Sequence, residues 1–149
     1  MRHRVHNRLP GALRLAIYLV TVLLVASGVA WLVVVYVLAP PGEITPAPHR
    51  WAGPLLAAHG IIAYIALAAY ALVGHAHMRT GWRVPALRIA ASWMGAALLL
   101  LIGTGIGFYY FADEATAPAL RWPHVVAGLA LPCFLALHIV RGRRTAGRA

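Results

Sequence analysis

Five of the eight histidines in this 149-residue chain fall inside long apolar runs or at their rims: His59, His75, His77, His124 and His138. Imidazole ligates transition metals and carries protons near neutral pH. An ionisable group in so apolar a setting is costly unless it has a partner or a task. A lone buried imidazole bonded to a backbone carbonyl would meet that condition without any function. The pattern here goes further. Two segments each place one His near each end, His59 with His77 or His75, and His124 with His138. Such a set makes two levels, each with one imidazole from each segment. That suits two flat, metal-bearing macrocycles, each clamped axially between two imidazoles. His3, His6 and His49 stand outside these segments and read as solvated surface residues.

Helical phase tests the pairing. His124 and His138 are 14 residues apart, which as helix returns to within about 40° of one face and rises about 21 Å. His59 and His77 are 18 residues apart, five whole turns and about 27 Å. His59 to His75 is shorter, about 24 Å, and lands about 160° away. Phase selects His77; depth favours His75. The first choice is His77, with His75 as the alternative.

These residues need helices to hold them. Uncharged apolar runs cover Leu15–Leu38, Trp51–Gly74, Ile89–Ala112 and Trp122–Val140. Each is long enough for the roughly 20 residues that cross a hydrocarbon core as helix. The runs do not alternate polar with apolar residues, and an open sheet cannot satisfy its edges in lipid. The first run is too long for a signal-peptide core of about 7–15 residues and reads as a retained helix. The expected fold is all-α: a polytopic four-helix transmembrane bundle, one domain over 1–149, with helices at about 13–38, 51–77, 87–112 and 122–141. A mean hydropathy of +0.76 and only 11% charged residues agree, since a soluble domain carries about 25% charged residues.

Charge sets the expected topology. Eleven arginines lie before helix 1, between helices 2 and 3, or after helix 4; only Arg50 and Arg121 fall on the other side, together with Glu43, Asp113 and Glu114. Short basic loops stay in the cytoplasm, so both termini are expected there. The net charge of +10 is then a topology signal, and nucleic acid is not an expected partner. Trp51, Trp122, Tyr109 and Tyr110 fall where an interfacial aromatic belt belongs. The single cysteine, Cys133, excludes an intrachain disulfide and a Cys-based cluster.

Small residues could give a macrocycle room: Gly60 after His59, Gly128 one turn past His124, Gly28 in helix 1, and Gly103, Gly105 and Gly107 in helix 3. Close helix packing explains them equally well. The "GTGIG" letters lie within an apolar helix with no preceding strand, so they are not a phosphate loop. Met78 and Met94 read as core filler. Arg79, near His77, and Arg121, near His124, could pair with acidic groups of a cofactor or simply set topology.

The chain resembles four-helix di-haem b-type cytochromes through His59, His77 (or His75), His124 and His138. The stretch "HMRTGW" resembles the small flavinylation-associated cytochromes. The resemblance implies two non-covalent b haems with bis-His ligation at those residues; by position, Arg79 and Arg121 are candidates to pair the haem propionates, with topology-setting as the equal alternative. It also implies electron transfer across a bacterial cytoplasmic membrane, as in a respiratory chain, between a quinone pool and a redox partner protein. No "CxxCH" is present, so covalent attachment is excluded. Filled axial positions suit electron transfer rather than oxygen chemistry, and no catalytic constellation accompanies them. The expectation is an electron-transfer subunit, not a stand-alone enzyme. Two rivals are a metal or proton transporter and a structural membrane anchor. The transporter would place acids within its helices, and none of the three acids lies there.

Overall fold

The computed structural model describes residues 10–38, 49–81 and 85–146, without the side chains of 75–81, 85–87, 90 and 145–146. The described residues form four helices and no strand: α1 (Gly11–Tyr36), α2 (Ala52–Gly81), α3 (Pro85–Tyr110) and α4 (Ala117–Ala146). Each apolar run has become one helix. That is the form in which a segment satisfies all its own backbone groups without water. All four are long and apolar enough to cross a membrane, over Gly11–Tyr36, Ala52–Gly74, Ala91–Tyr110 and Ala117–Arg144.

The chain divides into two compact units, Met1–Met78 and Arg79–Ala149. The first holds α1 and nearly all of α2; the second holds α3 and α4. In both, small residues are prominent among the buried positions, including Ala66, Ala97, Ala127, Thr21 and Thr104. Large apolar side chains such as Leu72 and Leu99 face outward, 76% and 72% exposed. Small residues let helix backbones approach closely, while lipid accepts the large ones.

The helix starts explain where the element bounds differ from the sequence expectation. His49 opens α2: its carbonyl accepts from Ala52 N–H at 2.8 Å and its Nδ1 from Trp51 N–H at 3.3 Å. This histidine is therefore a cap as well as a surface residue. At α4 a reciprocal box does the same work. Asp113 Oδ1 accepts from Thr116 N–H at 2.7 Å, and Thr116 Oγ1 accepts from Asp113 N–H at 3.0 Å. The box starts α4 at Ala117, five residues before the expected start at 122, and Pro118 fits because the first turn lacks intrahelical N–H bonds. Pro123 and Pro132 lie inside α4, each removing one backbone donor. In α2 and α4 the apolar run ends before the helix does. α2 continues to Gly81 and α4 to Ala146, because arginine ends a membrane span but is a good helix former.

Candidate functional site

Within the first unit, α1 presents a hydroxyl to a histidine of α2. Ser27 donates to the Leu24 carbonyl at 2.9 Å, and its Oγ lies 3.0 Å from His59 Nδ1. A serine inside a helix commonly returns its proton to a carbonyl one turn earlier. The neighbouring residue has to be small. A Cβ on Gly28 would stand 3.1 Å from His59 Cε1 and 3.4 Å from Nδ1. The ring therefore lies against the α1 backbone at the Ser27–Gly28 step.

A second contact of the same kind joins these helices further along. Thr21 is 3% exposed and donates to the Ile17 carbonyl at 2.6 Å. Its Oγ1 is 2.6 Å from the Tyr70 hydroxyl. A hydroxyl has one proton, so Tyr70 donates to Thr21.

The second unit repeats the first arrangement. Thr104, 6% exposed, donates to the Leu100 carbonyl at 2.6 Å, with the Leu101 carbonyl at 3.2 Å. Its Oγ1 is 2.8 Å from His124 Nδ1. A glycine again follows the hydroxyl residue, and a Cβ on Gly105 would be 3.9 Å from His124 Cε1. Phe108 meets the His124 ring edge-on, with centroids 6.1 Å apart. Elsewhere in the unit, Trp93 stacks on Phe134 at 6.4 Å. The two histidines also occupy the same position along their own helices. His59 follows Ala52, the first residue of α2, by seven residues, and His124 follows Ala117, the first of α4, by seven.

His138 lies in α4, partly buried, with its Nδ1 buried. Arg121 precedes His124 by three residues and is partly exposed, next to the exposed Trp122. His75, His77 and Arg79 belong to the α2 helix, but their side chains lie outside the described residues. The choice between His75 and His77 therefore still rests on helical phase. His3 and His6 also lie outside the described residues.

Among the described residues no group of three or more His, Cys, Asp or Glu side chains gathers. Structural zinc sites need about four protein ligands. Ser27 and Thr104 were not singled out from the sequence. The available signal was the dipeptides Ser27–Gly28 and Thr104–Gly105, each a hydroxyl beside a glycine within an apolar helix. Comparison of the chain with family models, curated proteins and solved structures finds no match.

Proposed function

We propose that this chain is a di-haem b-type cytochrome, an electron-transfer subunit of a bacterial cytoplasmic membrane, with both termini cytoplasmic. It carries electrons between the quinone pool and a redox partner protein. The observation that carries the reading is the repeated unit of histidine, hydroxyl and glycine, found once in each half of the chain at the same distance along its helix. Two equivalent imidazoles, each held by Nδ1, are the donor set an axially clamped haem requires.

His59 and His124 are assigned to the outer haem, and His138 with His77 (or His75) to the inner one. When bound, haem supplies one-electron redox chemistry at an iron with both axial positions taken. The chain's own residues do the rest. Gly28 lets the His59 ring lie close against α1, whereas a Cβ at Gly105 would make only ordinary contact with His124. Phe108 restrains the edge of the second ring. Arg79 and Arg121 supply positive charge near the two levels for the haem propionates.

The test is purification in detergent, oxidised and reduced visible spectra, and a pyridine haemochrome assay. Two haems per chain is the expected result. No haem refutes the cytochrome reading, and one haem per chain refutes its two-level form.

A further inference from the structure

Ser27 and Thr104 have no redox chemistry of their own, yet each is the hydrogen-bond partner of a proposed ligand. We propose that they are positioning residues that lock His59 and His124 in the Nδ1–H tautomer and so fix Nε2 as the nitrogen offered to a metal. The consequence for haem rests on the cytochrome reading above; the tautomer assignment does not.

The assignment follows from counting protons in the hydrogen-bond network. A serine or threonine hydroxyl has one proton and two acceptor lone pairs. The Ser27 proton goes to the Leu24 carbonyl at 2.9 Å, and the Thr104 proton to the Leu100 carbonyl at 2.6 Å. Each oxygen then faces its imidazole as an acceptor, at 3.0 Å for His59 and 2.8 Å for His124. An acceptor requires a donor opposite, so each Nδ1 carries hydrogen. A neutral imidazole has only one N–H, which leaves the lone pair on Nε2.

The backbone carbonyl is the final acceptor in both chains of bonds. It cannot reverse its role, so the hydroxyl cannot turn round to donate to the ring without abandoning that carbonyl. In water, neutral imidazole prefers the opposite tautomer, with hydrogen on Nε2. The helices therefore hold both rings in the form that solution disfavours and that ligation through Nε2 needs. Outer partners of this kind orient a ligating histidine and raise its basicity. The pairing also explains the residue types. A carboxylate in Ser27's or Thr104's place would add a charge inside an apolar span, whereas a hydroxyl accepts the same hydrogen bond at no charge.

The test uses ¹⁵N-histidine-labelled full-length chain, prepared without haem in lipid nanodiscs, above the imidazole titration range. Resonances are assigned by replacing each histidine in turn. His59 and His124 are expected as Nδ1–H in the unsubstituted protein. Ser27→Ala and Thr104→Val should shift His59 and His124, respectively, toward Nε2–H. Ser27→Thr and Thr104→Ser should keep the Nδ1–H form. Nε2–H in the unsubstituted protein overturns the proposal without need of any variant, as does Nδ1–H persisting in both hydroxyl-free variants.

In haem-loaded protein, losing the hydroxyl should weaken haem retention about 10–100-fold. It should also raise the midpoint potential, because a less electron-rich imidazole stabilises ferric iron less. A chain that shows both Nδ1–H tautomers but binds no haem refutes the cytochrome reading and leaves the positioning assignment standing.

Discussion

Replacing Gly28 by alanine sets two effects of known sign against each other. Glycine is worse than alanine in a helix interior by about 0.8–1 kcal/mol, so the substitution gains that amount wherever the new methyl has room. At Gly28 the methyl would stand 3.1 Å from His59 Cε1, 3.4 Å from Nδ1 and 3.8 Å from Nε2. Ordinary carbon contacts lie at about 3.5–4.0 Å. The ring must therefore retreat by a few tenths of an ångström, and it is tied to Ser27 at 3.0 Å. Moving off a preferred rotamer costs about 0.5–1.5 kcal/mol. The two terms nearly cancel, so Gly28→Ala should change stability by less than about 1 kcal/mol while displacing the imidazole. Gly95 is the control, because a Cβ there meets nothing within 4 Å. Gly95→Ala should show the full helix gain and no other effect. Gly105→Ala, with its contact at 3.9 Å, should behave like the control. The assay is thermal unfolding followed by circular dichroism, with the reduced visible spectrum recorded on each variant. If Gly28→Ala is stabilised as much as Gly95→Ala and its spectrum is unchanged, the His59 ring is not against α1 and the clearance argument fails.

Other outcomes follow from the same structure. Tyr70→Phe removes one hydrogen bond but leaves Thr21 bonded to Ile17, so it should cost about 1 kcal/mol in chemical denaturation; a Thr21→Val, Tyr70→Phe cycle should recover that coupling. The Thr116 hydroxyl, and then its backbone N–H, hold the Asp113 carboxyl below its ordinary value. A depressed carboxyl stabilises the fold above its unfolded value, and that contribution is lost as pH falls through the folded value. The difference in melting temperature between the unsubstituted protein and Asp113→Asn should therefore shrink as pH drops below about 4. His77→Ala and His138→Ala should give the same loss of one haem, while His75→Ala keeps both. A haem count that falls with His75→Ala and not with His77→Ala would show that the helix departs from regular phase between His59 and His77.

The four elements were legible because a membrane span is written in length and composition. Each run long enough to cross is one helix, and only its ends moved. The ends moved for local reasons: the Asp113–Thr116 box begins α4 ahead of its apolar run, and arginine continues both α2 and α4 beyond theirs. The faces of the helices were not legible. In a soluble helix the polar side marks the outside. Here lipid-facing and partner-facing sides are both apolar, so periodicity could not show that Ser27 and Thr104 point at a neighbouring helix. Histidine stood out because it is rare in such a setting. Serine and threonine did not, because a mid-helix hydroxyl can satisfy itself against its own carbonyl and needs no partner. The tie between Tyr70 and Thr21 was hidden for the same reason.

The uncharged stretches of the second unit are nearly equal in reach. In α3 the stretch runs from Ile89 to Tyr110, and in α4 from Trp122 to Val140, between Arg121 and Arg141. At 1.5 Å per residue these are about 33 and 28 Å, against a hydrocarbon thickness of about 30 Å. Thinning or thickening a bilayer around them therefore loads both helices to a similar degree. The hydrogen bond between Thr104 and His124 joins two elements that respond alike, so bilayer mechanics leave the imidazole where its hydroxyl holds it.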